Sequence, residues 1–167
     1  TDFFEQVKYS QGKNYIDGDV AAGFLAAMYS YYNETGNKVE ITQLNNSKGG
    51  HSSHTGKGTN ADVKYANLNG FKPNEAVWTN GNNFDKQNSQ KLVDYFMKFG
   101  FNRPNRKFSI LTENAKGNGP ALKNTDFVDG KGKYHHKHHI HLQQFNNSII
   151  NVITKKKNIF YYCFYHV

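Results

Sequence analysis

The stretch His135-His136-Lys137-His138-His139-Ile140-His141-Leu142-Gln143 constrains this chain more than any other, because its later half alternates at two residues per repeat. Such alternation marks a strand with one buried face. In that geometry His139 and His141 share one face, while Ile140 and Leu142 share the other. A fold that buries Ile140 and Leu142 therefore holds two imidazoles side by side on the opposite surface. Five of the eight histidines fall in this run, and two more, His51 and His54, lie in an earlier glycine-rich loop. The run is internal and broken by Lys137 and Ile140, unlike a purification tag.

The remaining periodic segments suffice for one domain over 1–153. Asp17 or Asp19 can cap a helix over about 19–33, where Val20, Phe24, Met28 and Tyr31 form one stripe and Gly36 ends it. Val39 and Ile41 alternate with Glu40 and Thr42 in a strand over 38–44. The segment 45–60 is a loop rich in Gly, Ser, Asn and Lys, of a length that usually carries function. Residues 61–65 read as a short strand. A second helix over about 85–99 aligns Leu92, Tyr95, Phe96 and Phe99, and Gly100 ends it. Residues 107–112 are a strand, 113–133 a polar loop and 138–145 another strand. This order predicts an α+β fold, a small, mostly antiparallel sheet flanked by helices. Residues 154–167 are a separate tail, three lysines and then a β-prone run over 159–165, read as an edge strand or an aggregation-prone appendage.

Composition narrows the function. The 13 Phe and 11 Tyr supply core material although the hydrophobic fraction is only 37%. No run approaches the ~18 apolar residues of a membrane-spanning helix, and Thr1-Asp2-Phe3-Phe4 shows no signal peptide. The lone Cys163 excludes a disulfide framework and a Cys-rich zinc site. The net charge of +8 comes from lysine, with Arg103 and Arg106 the only arginines. The planar Arg fork that reads phosphates and bases is thus nearly missing, and no specific nucleic-acid partner is expected. The charge reads as a solvated lysine surface.

The chemistry lies in two segments. In His54-Thr55-Gly56-Lys57-Gly58-Thr59-Asn60-Ala61-Asp62, a His and an Asp can converge on one ion if the loop folds back, and Gly56 and Gly58 allow that. One histidine of the later pair completes a two-His, one-carboxylate set, whose open fourth position marks catalytic rather than structural zinc. The same triad suits an iron oxygenase, but that fold needs many more strands than this chain offers.

At these residues the chain resembles the metallopeptidases that include penicillin-insensitive murein endopeptidases, D-alanyl-D-alanine dipeptidases and carboxypeptidases, and the zinc-containing hedgehog signalling domain. The shared pattern is a His, a glycine-containing loop, an Asp on the next strand and a late His-x-His, here His54, Asp62 and His139-Ile140-His141. His51-Ser52-Ser53-His54 and His136 look like the endopeptidase branch. Seven residues separate His54 from Asp62 where the family usually has six, which leaves His51 as a substitute ligand. The Glu that the dipeptidase branch places three residues before the last His is His138 here.

The resemblance implies Zn2+ bound by His54, Asp62 and His141, with His139 as general base and then acid. His136 would stabilise the oxyanion or position substrate, and His51 would contact substrate from the loop. His135 and His138 read as solvent-exposed loop histidines. Trp78 and Tyr65 are expected in the core, with cleft lining as the alternative. The expectation is thus a monomeric, secreted bacterial zinc metallopeptidase, periplasmic or extracellular and part of a larger protein or not, that cleaves peptidoglycan stem or cross-link peptides at a D-Ala bond. Two other classes stand beside it. One is a basic metal-dependent nuclease toxin domain, suggested by histidines near Asn146 and Asn147. The other is a zinc domain that binds without catalysis.

Overall fold

The computed structural model describes residues 2–6, 16–45, 58–102, 109–127 and 136–146. The two helices form where the sequence places them. In α1 (Gly18–Thr35) the Asp17 carboxylate caps the first turn by accepting from the Asp19 N–H. Gly36, at φ 70°, closes the far end, a conformation that costs glycine little. The buried stripe is Val20, Phe24, Ala27, Met28 and Tyr31, joined by Gly23. Helix α2 (Lys86–Lys98) is capped by Asp85, whose side chain accepts from the Asn88 N–H, and buries Leu92, Val93 and Phe96. The helices meet through stacked Phe24 and Phe96 rings, 5.5 Å apart.

Five short strands form one sheet: β1 (Phe4–Gln6), β2 (Val39–Gln43), β3 (Ala61–Val63), β4 (Ile110–Leu111) and β5 (Ile140–Leu142). Their order is β1-β2-β3-β5-β4. The class is α+β as expected, but the sheet is mixed rather than mostly antiparallel. β1, which its three residues left unmarked in the sequence, joins β2 in parallel. The other pairings are antiparallel.

Alternation divides the sheet into two faces. Val39, Ile41, Ala61, Val63, Ile110, Ile140 and Leu142 point into the core shared with the helices. Glu40, Asp62 and His141 take the other face and are also buried. The β2–β3 register shifts between Ile41 and Gln43, a bulge beside Asp62; bulges commonly re-aim a side chain at a site. The glycine loop's described end is tied down too, since the Asp17 N–H donates to the Gly58 carbonyl at 2.9 Å. The tail over 154–167, and so the boundary at 153, lies outside the described residues.

Where α1 crosses the end of α2, a Cβ on Gly23 would collide with the Phe99 carbonyl oxygen and come within 2.6 Å of the Phe145 ring. Alanine would gain up to about 1 kcal/mol of helix propensity, but a backbone carbonyl cannot rotate aside, and overpacking costs about 1–3 kcal/mol. Gly23→Ala is therefore expected to destabilise the fold by about 1–2 kcal/mol in denaturant titration. A variant as stable as the wild type would show that the helices have room to separate.

Candidate metal centre

The site is built outward from the centre of the sheet. Asp62 on β3 and His141 on β5 are directly paired across the antiparallel ladder. Cross-strand partners on one face lie close enough for their side chains to touch. Here His141 Nδ1 lies 2.6 Å from Asp62 Oδ1, and both residues are buried. His139, two residues earlier on the same face, brings Nε2 to 3.7 Å from the same oxygen.

His136 reaches the cluster from the turn before β5. Its ring centroid lies 5.1 Å from that of His139 and 5.4 Å from that of His141. The turn is held by its backbone. The His136 N–H donates to Glu113 Oε2 at 2.9 Å, and the His136 carbonyl accepts from the Tyr65 hydroxyl at 2.7 Å and from the Glu113 N–H at 3.2 Å. One residue on, the Lys137 carbonyl accepts from the Thr79 N–H at 2.9 Å. Glu113 and Tyr65 are themselves buried, so the clamp sits in a place where unpaired polar groups would be costly.

His136, His139 and His141 each offer a ring nitrogen, and those atoms lie within 4.8 Å of one another, so the three could hold a metal ion. The electrostatics suit that use. Burial pushes His136 down to about 4, helped by the neighbouring His141 and opposed by Asp62 and Glu113. Burial likewise pushes His139 down to about 3, against the pull of Asp62. Both rings are therefore neutral at pH 7, the form that ligates a metal.

The structure thus brings together Asp62, His136, His139 and His141. His54, His51 and His135 lie outside the described residues. His138 is exposed, as expected, yet its ring stands 4.6 Å from that of His139 and 5.0 Å from that of Trp78. Tyr65 is in the core, as expected. Trp78 is not; it is 45% exposed and its indole faces the histidine turn. The segment carrying it is tied through Thr79 to the Lys137 and Glu113 carbonyls. Sequence reasoning missed the clamping role of Glu113. The one available signal was an acidic residue directly after the apolar strand Ile110-Leu111. No family model matches the chain, and no curated protein matches it.

Two expectations follow. In the unfolded chain these histidines titrate near 6.5. Between that value and their native values of about 4 and 3, the unfolded chain binds protons that the native state refuses. Stability of the metal-free protein is therefore retained above about pH 6.5 and lost as pH falls toward 3. Melting temperatures measured from pH 7 to pH 4 should decline, and His139→Gln should flatten the decline; an unchanged slope would remove His139 as a source. Tyr65→Phe takes one hydrogen bond from the His136 carbonyl and should cost about 1 kcal/mol. Metal affinity should weaken with it, as competition against a chelating dye would show.

Proposed function

We propose that this chain is a zinc-dependent hydrolase of peptidoglycan peptides, cutting an amide bond next to D-alanine in the manner of the murein endopeptidases it resembles. The observation that supports the reading is the convergence of Asp62, His139 and His141 on one oxygen-centred point of a central sheet face, with His136 clamped beside them. Neutral imidazoles and a carboxylate are borderline and hard donors, the mixture zinc accepts. In this reading Asp62 and His141 ligate the ion together with His54. Zinc supplies activation of water at neutral pH and polarisation of the scissile carbonyl.

The chain's own residues do the rest. His139, neutral at rest and placed just before β5 beside the Asp62 carboxylate that would offset its gained charge, takes the proton from the attacking water and passes it to the departing amine. His136, fixed through its backbone, presents its ring to the developing oxyanion. Lys-rich positive charge favours approach to an anionic cell wall, an attraction that weakens with salt. The expected setting is outside the cytoplasm, in the periplasm or extracellular space. No described helix is long and apolar enough to cross a membrane.

A second assignment of the ligands is favoured by the 2.6 Å contact itself. A carboxylate that holds His141 Nδ1 can orient the ring as in carboxylate–histidine–zinc triads, with Nε2, now 3.3 Å from Gln143 Oε1, exchanging that partner for the metal. His136, His139 and His141 would then be the ligands. Metal analysis separates the two. If Asp62 ligates, Asp62→Ala should strip the zinc while His136→Ala retains it. If Asp62 only orients His141, Asp62→Ala should weaken binding by about 10–100-fold and His136→Ala should strip the ion.

The function itself is tested by digesting purified cell wall and resolving the muropeptides chromatographically. Loss of cross-linked dimers with a matching gain of monomers is expected, abolished by a chelator, restored by zinc and indifferent to β-lactams, since no serine is acylated. His139→Ala, with its zinc in place, should turn over about 10²–10⁴-fold more slowly. Untouched muropeptides together with degraded plasmid or RNA would favour the nuclease class instead. Full zinc with neither activity would leave a binding domain.

A further inference from the structure

We propose that Trp78 is the substrate-holding platform of this site, its exposed indole packing against a peptide residue within about three positions of the amide at the metal cluster. The substrate's identity as a peptidoglycan peptide rests on the function proposed above; the platform itself rests on geometry.

Among the described residues Tyr29, Leu68 and Trp78 are the exposed large hydrophobics. Trp78 alone of these stands beside the histidines. Its ring lies 5.0 Å from His138, His138 lies 4.6 Å from His139, and His139 lies 5.1 Å from His136. The rings thus run without a break from the exposed indole to the buried cluster. Two ring-to-ring steps separate Trp78 from His139, at most about 10 Å and the reach of about three extended residues. A substrate whose amide sits at His139 can therefore reach the indole.

The platform is also stiff. Directly after Trp78, Thr79 ties the segment to both walls of the site, its N–H donating to the Lys137 carbonyl and its hydroxyl to the Glu113 carbonyl at 3.1 Å. The Trp78 carbonyl accepts from the Gly81 N–H at 2.7 Å, closing a tight turn behind the ring. Glu113 holds the backbone of His136 as well, so the indole and the histidine turn hang from the same residue. An aromatic face with little freedom left to lose is a good binding surface, and its apolar area and quadrupole suit alkyl side chains and peptide planes.

Trp78 is the only tryptophan, so its emission reports on this one position. The experiment combines that emission with steady-state kinetics on purified muropeptide dimers, using the zinc-loaded full chain and its Trp78→Ala and Trp78→Phe variants. Dimers should shift or quench the wild-type emission. Trp78→Ala should lower kcat/KM about tenfold through KM, with zinc content unchanged, and Trp78→Phe should recover part of the loss. Cleavage with neither an emission change nor a KM effect would overturn the platform and leave the peptidase standing. An emission change without cleavage would keep the platform and overturn the peptidase. Silence in both, or a response to N-acetylglucosamine oligomers but not to peptides, would overturn the proposed peptide contact.

Discussion

The contact between Asp62 and His141 sets the terms for the sheet around it. A carboxylate buried away from water costs several kcal/mol unless charge or hydrogen bonds compensate it. Here β3 and β5 are interior strands, flanked by β2 and β4, and Asp62 is buried on their polar face. Its oxygen is met instead by His141 at 2.6 Å and approached by His139 at 3.7 Å. That need fixes the register. A slip of one residue between β3 and β5 would turn one of the pair to the face of Ala61, Val63, Ile140 and Leu142 and take it away from its partner.

From this fixed pair the site is extended by a less regular element. His136 lies on a turn, and turns are positioned by hydrogen bonds rather than by a ladder. Glu113 supplies them, and it can do so because β4 pairs with β5 and ends where the turn begins. Tyr65, one residue beyond Lys64 on the chain leaving β3, reaches the same carbonyl from the other side. The ring nitrogens of His136, His139 and His141 already lie within 4.8 Å of one another.

These two layers differ in how plainly the sequence announces them. Val20, Phe24, Met28 and Tyr31 recur at helical spacing, and Ile140 and Leu142 alternate with His139 and His141, so periodicity alone locates α1, β5 and the histidine face. Asp62 is legible as the acidic member of a short strand. The pairing of Asp62 with His141 is not, because register between strands 79 residues apart depends on the whole sheet. Strand β1 escapes notice at three residues, too few to display a period, and its parallel partner is set by tertiary packing. Glu113 and Trp78 mislead for opposite reasons. An acid is expected outside and a tryptophan inside, yet Glu113 is drawn in by the backbone it must satisfy, while Trp78 stands exposed on the turn that carries it.

Glu40 shows why burial of polar groups alone does not mark a functional site. It shares the polar sheet face with Asp62 and is buried. Lys64 on the chain leaving β3 meets it at 2.6 Å, and the Asn74 N–H donates to its second oxygen at 3.1 Å. Lys64 donates in turn to the Glu75 carbonyl at 2.9 Å. There opposite charges are matched one to one, and a second lysine donor goes to backbone. The cluster around Asp62 has a different balance. Three imidazoles gather near one carboxylate, and burial keeps His136 and His139 in the uncharged form. His136 and His139 rest uncharged at neutral pH and so add nitrogen donors rather than positive charge, and a divalent cation among them would meet those donors and a carboxylate at once. On this sheet face, it is the histidine cluster whose ring nitrogens could hold a metal ion.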